Sequence, residues 1–232
     1  VIGARFFNLF DAAEGKKVDI YRLLGVQSIR RNDVLVFHYP YPNNDDKIEM
    51  HLLKYYIKRC VAIAGDTFYI DNGIYKVKGI TDSLGVHSRQ LQLSERADST
   101  FRAEVFNCFP NDSTYQWNIK NFGPLFVPGK GSKVQLEARN IVLYRKLIMY
   151  ETDKGIEVRD GQVYLDGEVL SSYTFTKNYY FMAGDFALNS RDSRYWGLLP
   201  EDLIVGKAAF IWKSIDPYTE KYRWKRFFKA VK

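Results

Sequence analysis

Two short turn sequences constrain this chain most strongly, because each lies between runs of β-forming residues. The turns are Asn72-Gly73 and Asp166-Gly167, and the runs around them cover residues 67–77 and 163–170. Asn-Gly and Asp-Gly readily adopt the positive φ angles that a two-residue β-hairpin turn requires. The sequence therefore predicts two antiparallel hairpins.

Residue usage along the rest of the chain also favours strands. Aromatic residues make up 16% of the 232 residues, with 17 Tyr and 16 Phe, and such residues are enriched in strands. Further apolar runs at residues 34–37 and 55–63 are typical of buried strands. Helical patterning is weak, and we expect one short helix within residues 88–105 and another within 138–149. We predict a mostly β protein.

The charge of the chain leaves several partners open. Its formal net charge is +7, which suits nucleic acid, an anionic membrane surface or solubility alone. The last residues interleave cations and aromatic rings, so they predict either a segment lying on a lipid interface or a final strand with alternating faces. These residues are Lys221, Tyr222, Arg223, Trp224, Lys225, Arg226, Phe227, Phe228, Lys229 and Lys232.

Cysteine and histidine are too sparse to build a common catalytic centre. Cys60 and Cys108 are far apart, and the three histidines, His38, His51 and His87, have no spacing typical of metal ligands. We therefore expect neither a metal site nor a Ser-His-Asp hydrolase. A general base must be sought among other residues. No apolar run approaches the roughly 18–20 residues of a membrane-spanning helix.

Lys58 is conspicuous because it lies inside the apolar run at residues 55–63. Burying an ammonium group costs several kcal/mol unless it is paired or loses its proton. The side chain can place its stem in the core and its amine in water. Alternatively, burial lowers the pKa of the amine, so that its neutral form accepts a proton near neutral pH. This segment alone leaves both interpretations open.

A polar loop at residues 184–197 is dense in Asn, Asp, Ser and Arg. Such side chains often bond to their own backbone and give a loop a fixed shape. Asp192 and Arg194 could form a buried ion pair that holds the loop. Loops of this kind are often purely architectural.

Taken in order, three segments of the chain resemble the bacterial type I signal peptidases. That family cleaves secretory signal peptides with a serine nucleophile and a lysine general base. Residues 32–37 match its strand motif, Lys58-Arg59 with Gly65-Asp66 match its lysine motif, and residues 184–197 match its long C-terminal loop motif. The resemblance covers about residues 30–70 and 178–215, and the loop motif is long and specific.

The resemblance implies a role for each matched residue. Lys58 is the general base, and Ser190 carries the hydroxyl that orients its amine. Asp192 and Arg194 are the ion pair beneath the site, and Asn189 belongs to the supporting loop. This machinery implies a peptidase that needs no cofactor and no metal.

The resemblance also implies the substrate contacts and the fold. Tyr56 and Ile57 belong to the strand that pairs with an extended substrate. The expected fold is an antiparallel β catalytic lobe formed by residues 1–72 and 179–232. A second β-rich lobe, residues 73–178, is inserted into it.

The resemblance also implies a nucleophilic serine, and its motif does not occur in this sequence. In the family it belongs to a Ser-Met-x-Pro motif N-terminal to the first matched segment, and no Ser-Met pair occurs in these 232 residues. Residues 1–6 resemble sequence just downstream of that motif. We therefore expect the serine and a membrane anchor to lie upstream of Val1, and the chain alone to be inactive. Ser28 lacks the motif and is not proposed.

The resemblance places the protein in the bacterial cytoplasmic membrane, with its catalytic part facing the periplasm. It implies a serine endopeptidase that removes signal peptides from secreted preproteins. The expected partners are signal peptides and the membrane surface, with no nucleic acid.

Two departures from the family pattern support an alternative. Ala62 and Ala64 replace the usual Gly and Pro, and residues 186–188 read Phe-Ala-Leu where the family has Asn-Arg-Asp. A divergent, non-catalytic paralogue that binds peptides at the membrane surface would fit these changes. An oligonucleotide-binding barrel would fit the charge and the aromatic residues, but it gives no reason for the loop at residues 184–197.

Overall fold

A computed structural model describes residues 5–6, 21–22, 27–43, 46–52, 54–216 and 219–231. The strands in these ranges are β1 (Arg5–Phe6), β2 (Tyr21–Arg22), β3 (Val34–His38), β4 (Tyr55–Ala62), β5 (Thr67–Asp71), β6 (Ile74–Val77), β7 (Phe122–Phe126), β8 (Lys133–Gln135), β9 (Ile156–Arg159), β10 (Gln162–Leu165), β11 (Glu168–Val169), β12 (Ser172–Thr174), β13 (Tyr179–Ala183), β14 (Leu199–Pro200) and β15 (Ile204–Lys207). The α-helices are α1 (His87–Glu95), α2 (Ile141–Thr152) and α3 (Ser193–Trp196).

The largest sheet has five antiparallel strands in the order β14-β13-β4-β3-β15. It joins strands near the start of the chain to strands near its end. Smaller sheets have the orders β6-β5-β7, β12-β8 and β11-β10-β9, and β1 pairs with β2. The prediction of a mostly antiparallel β fold is confirmed. The division into lobes at residues 72 and 179 stays a prediction.

Both hairpins form as the turn sequences predict. The β5–β6 hairpin turns at Asn72 and Gly73, with φ angles of 46° and 83°. The β10–β11 hairpin turns at Asp166 and Gly167, with φ angles of 49° and 84°. Positive φ at both central residues is what the right-handed twist of a two-residue hairpin demands.

The two expected helices are also present, within slightly different bounds. The first is α1, which ends at Glu95, and short 3-10 turns follow it at Asp98–Thr100 and Ala103–Phe106. The second is α2, which begins later than expected because Asn140 accepts a hydrogen bond from the Glu137 amide in a preceding turn. None of the helices within the described ranges has the length and apolar character to cross a membrane.

Aromatic rings join the largest sheet to the β6-β5-β7 sheet in one hydrophobic core. Phe68 of β5 stacks on Phe181 of β13 with ring centroids 4.1 Å apart. Phe122 of β7 meets the same ring edge-on at 5.4 Å. All three side chains are buried. This shared core fixes β13, and therefore the loop that follows it, relative to β4.

Glu151 fixes α2 against β12, the start of β13 and the turn between these two strands. Its carboxylate accepts hydrogen bonds from the hydroxyls of Tyr173 at 2.9 Å and Tyr179 at 2.8 Å. It also accepts from the amide and hydroxyl of Thr176, both at 2.8 Å, and from the Lys177 amide at 3.2 Å. A carboxylate with this many donors is a rigid anchor for the helix.

The C-terminal segment, residues 208–231, folds back on itself. Isolated bridges join Phe210 to Ala230 and Ile215 to Tyr222, and a 3-10 turn covers Trp224–Arg226. The prediction of a regular final strand is therefore wrong. The segment pairs with itself instead of continuing a sheet, and this leaves its rings exposed on the surface.

Candidate active site

Strand β4 has an open edge where it carries Lys58. On one side, β3 pairs with the strand from Tyr55 to Arg59. On the other side, the pairing with β13 begins only where Ala183 lies opposite Arg59. Beyond Ala183 the chain leaves the sheet, so no described strand covers residues 55–58 on that side. Their backbone groups on this edge are available to an added strand.

The loop after β13 brings Ser190 to Lys58. The amine Nζ of Lys58 donates a hydrogen bond to Ser190 Oγ over 3.0 Å, although the two residues are 132 positions apart in the chain. The ring of Tyr56 lies on the same side of β4, with its centroid 5.8 Å from Nζ. Residues at i and i+2 of a strand share a face. Strand periodicity therefore accounts for the position of Tyr56 beside the amine.

Burial changes the acidity of the Lys58 amine. The side chain is half-buried, and desolvation of the charged form holds the pKa of Lys58 below the ordinary lysine value of 10.5. The Asp192 carboxylate opposes this effect, the Arg194 guanidinium adds to it, and Asp185 opposes it. Desolvation is the largest of these influences, so the neutral amine is more populated near neutral pH than in an exposed lysine.

Gly184 leaves the space that Ser190 occupies. A Cβ atom at this position would overlap Ser190 Oγ, lie 2.6 Å from Ser190 Cβ and lie 3.4 Å from Lys58 Nζ. Any side chain larger than hydrogen would therefore push the hydroxyl away from the amine. The glycine is required here by close approach of the serine side chain.

A buried ion pair sets the shape of the loop. Asp192 and Arg194 are 0% and 1% exposed, and Arg194 Nε and Nη2 donate to the two carboxylate oxygens at 2.8 and 2.9 Å. The carboxylate also accepts from the Gly184 amide at 2.9 Å. Burial alone would lower the pKa of Arg194. The nearby Asp192 carboxylate has the opposite effect, and the pKa of Arg194 lies above the ordinary arginine value. The Arg194 guanidinium is therefore charged at all ordinary pH values.

The apolar departures in this loop leave the ion pair intact. Arg194 Nη1 donates to the backbone carbonyl of Ala187 at 3.0 Å, a contact that any residue at this position can accept. Ala187 is buried, whereas Phe186 is exposed and its ring centroid lies 5.1 Å from the guanidinium carbon of Arg89 in α1. The loop therefore keeps its buried anchor, and Phe186 contacts α1.

The remaining residues named from the sequence lie around this centre. Tyr56 is half-buried, with its ring 4.7 Å from that of Tyr39. Ile57 points to the opposite face of β4 and is 60% exposed, so a bound ligand can reach it. Asn189 is exposed, and its backbone amide donates to the Phe186 carbonyl at 3.0 Å. Its supporting role stays a prediction.

Sequence reasoning missed a second ion pair, between Arg59 and Asp185. Arg59 Nε and Nη2 donate to the two Asp185 oxygens at 2.8 and 2.9 Å, and Nη1 donates to the Asn32 carbonyl at 2.8 Å. These bonds tie β4 to the start of the loop that carries Ser190. Both residues belong to segments that carry the family resemblance. Their opposite charges were the signal in the sequence from which this ion pair could have been predicted.

The groups that converge here suit proton transfer. A partly desolvated amine faces a hydroxyl beside an open strand edge, and such an amine can act as a general base. Within the described ranges, no group of three or more His, Cys, Asp or Glu residues could hold a metal ion. Cys60 and Cys108 are buried, free thiols.

Sequence comparison identifies the family of this chain. The family described as "Signal peptidase, peptidase S26" matches residues 11–213. That match covers most of the 232 residues. The chain belongs to the peptidase S26 family of signal peptidases.

Individual relatives carry the same description. Signal peptidase I of Buchnera aphidicola from Schizaphis graminum is 28% identical over 193 residues, which cover 81% of this chain and 54% of that protein. The Haemophilus influenzae signal peptidase I is 38% identical over 71 residues, 29% of this chain and 20% of that one. A signal peptidase I crystal structure from Enterococcus faecalis covers 79% of this chain and 98% of that one, with 16% identity and a TM-score of 0.37. The chain spans about half the length of the Buchnera relative.

The close approach at Gly184 generates a direct structural prediction. Gly184→Ala should displace the Ser190 side chain and lengthen the Lys58 Nζ to Ser190 Oγ distance beyond hydrogen-bonding range, because the added methyl group overlaps the hydroxyl. A crystal structure of the variant measures this distance. Gly155→Ala is the matched control, since its added Cβ would lie 3.9 Å from Asp166 Oδ1, which is ordinary van der Waals contact. An unchanged distance in Gly184→Ala would contradict this account of the glycine.

Proposed function

We propose that this protein removes signal peptides from secretory preproteins by a serine and lysine mechanism. Lys58 is the general base, Ser190 orients its amine, and the nucleophile is the serine of the family motif, which these 232 residues do not contain. The observation that carries the proposal is the 3.0 Å contact between the half-buried Lys58 amine and the Ser190 hydroxyl. Membership of the signal peptidase family supports it.

The proposed reaction proceeds through an acyl-enzyme. The neutral Lys58 amine takes the proton of the nucleophilic serine hydroxyl as the serine oxygen attacks the scissile carbonyl carbon. The resulting ammonium gives this proton to the leaving nitrogen, and the peptide C–N bond breaks. Lys58 then takes a proton from water, whose oxygen attacks the ester carbonyl carbon. The ester C–O bond breaks, Lys58 returns the proton to the serine oxygen, and the signal peptide leaves as a free carboxylic acid. Hydrogen bonding to Ser190 keeps the amine directed towards these groups throughout.

The open edge at residues 55–58 is the proposed binding site for the cleavage region of the substrate. An extended peptide would add to β4 as an antiparallel or parallel neighbour, with affinity from main-chain hydrogen bonds. The chain would then pass directly beside Lys58. Exposed Ile57 would contact the small side chains that precede the scissile bond. This mode of binding explains a loose sequence preference.

The C-terminal segment is the proposed contact with the membrane surface. Trp212, Trp224 and Phe228 are 67%, 70% and 64% exposed, and basic side chains lie among them. Aromatic rings favour the interface between lipid headgroups and acyl chains, and cations favour anionic headgroups. Contact on this side would hold the protein on the periplasmic face of the cytoplasmic membrane, where preproteins emerge.

Replacing the proposed base tests the mechanism. In the full-length protein, Lys58→Met should reduce cleavage of a preprotein by about 10²–10⁴-fold, because methionine fills the space without accepting a proton. The rate is measured by gel mobility of the cleaved product, and thermal unfolding checks that the variant is folded. Lys78→Met, at an exposed lysine outside the site, is the control and should cleave normally. Normal cleavage by Lys58→Met would remove Lys58 from the mechanism.

The same assay addresses the alternative of a non-catalytic paralogue. A full-length protein that binds signal peptides but does not cleave them would be a peptide-binding module. The intact anchoring of the loop by Arg194 favours the enzyme.

The membrane contact makes a separate prediction for the 232-residue chain. Trp212→Ala combined with Trp224→Ala should weaken binding to vesicles that contain anionic phosphatidylglycerol by about tenfold or more, since two large apolar surfaces no longer enter the interface. Sedimentation with vesicles measures the binding. Leu91→Ala combined with Val169→Ala, at exposed apolar residues elsewhere, is the control and should bind normally. Equal binding by both double variants would rule out this segment as the membrane contact.

A further inference from the structure

A large cavity adjoins the loop that carries Ser190. Its volume is about 860 Å³, within the range of roughly 300–1,000 Å³ that is usual for ligand sites. One wall is the loop at residues 188–191, another is the segment at residues 102–111, and a third belongs to α2. Ser190 lines this cavity and its hydroxyl accepts the hydrogen bond from Lys58, so the cavity lies next to the proposed base.

Two walls of this cavity are held in place by hydrogen bonds. The loop is held by the buried Asp192–Arg194 pair, and α2 is anchored by the hydrogen bonds to Glu151. A preformed wall does not have to be ordered when a ligand binds, so less affinity is lost. The cavity is therefore suited to selecting among ligands by charge.

Charged side chains give the cavity a basic character. Four basic and two acidic residues line it, which makes an excess of two positive charges: Arg102, Arg145, Lys146 and Arg191 against Asp46 and Glu104. Arg102 and Arg145 are exposed and belong to two different walls of the cavity. Neither forms a salt bridge with any residue in the described ranges. Both are therefore available to pair with a ligand carboxylate.

The composition of a signal peptide indicates which part of the substrate fits here. The residues before the cleavage site are apolar or small, so they could not form charge pairs in a basic cavity. The chain beyond the scissile bond is the start of the secreted protein, which carries polar and charged residues. Resting on the function proposed above, we propose that the cavity receives this segment, and that Arg102 and Arg145 favour acidic side chains within it.

The exposure of Arg102 and Arg145 to water determines how large the preference for acidic side chains should be. Charge pairs that remain in contact with water contribute modestly and are weakened by salt. Two such pairs correspond to a selectivity of about tenfold at low ionic strength. The preference should therefore be measurable, and it should diminish as salt is added.

Matched peptides test this proposal in the full-length protein. Three substrates would be identical through the scissile bond and would carry Asp, Asn or Lys at the third to fifth residues beyond it. The wild-type protein should cleave the Asp peptide with a kcat/KM about tenfold higher than the Lys peptide. Arg102→Glu combined with Arg145→Glu should abolish or invert this ratio. Lys130→Glu combined with Lys133→Glu changes the net charge equally outside the cavity and should preserve the ratio.

The outcomes separate this inference from the function on which it rests. Equal cleavage of the three peptides by the wild-type protein would overturn the charge preference while leaving the peptidase function standing. The charge preference would also be overturned if the kcat/KM ratio of the Asp and Lys peptides persisted in the Arg102→Glu and Arg145→Glu double variant. It would be overturned as well if this ratio fell equally in the Lys130→Glu and Lys133→Glu control. Failure to cleave any peptide would overturn the proposed function itself.

Discussion

The carboxylate of Asp192 and the guanidinium of Arg194 face each other in the protein interior, and their bonds reach the whole loop after β13. They hold the Gly184 amide at one end of the loop and the Ala187 carbonyl in its middle. Removing either charge alone would leave the other buried without compensation, which typically costs about 3–5 kcal/mol. The position of Ser190, between Ala187 and Asp192 in the chain, depends on this pair.

The same arrangement determines what happens at β4. Because the loop turns away after Ala183, β13 pairs with only part of β4, and the strand edge before Arg59 remains open. The loop then returns over the face of the sheet that carries Lys58 and partly shields the amine from water. One turn of the chain thus supplies both an edge for an extended ligand and a less hydrated base beside it.

The sequence predicts the features that depend on neighbouring residues. The Asn72-Gly73 hairpin follows from local backbone preference, and the strand at Lys58 follows from its apolar run. The strand β13 was not predicted, although its five buried residues form an apolar run of the kind that is typical of a central strand. The pairing of Lys58 with Ser190 was suggested only by family resemblance, since 132 residues separate them. The close approach at Gly184 and the basic cavity depend on tertiary packing, which no local pattern encodes.

Whether the Lys58 amine is depleted of water is the claim on which the proposed chemistry depends. The direct measurement is a pH titration of the Lys58 side chain by NMR, in protein with isotope-labelled lysine and with Lys58→Met to assign its signal. The account predicts a pKa for Lys58 below the ordinary lysine value of 10.5. A Lys58 pKa of 10.5 or above would contradict it.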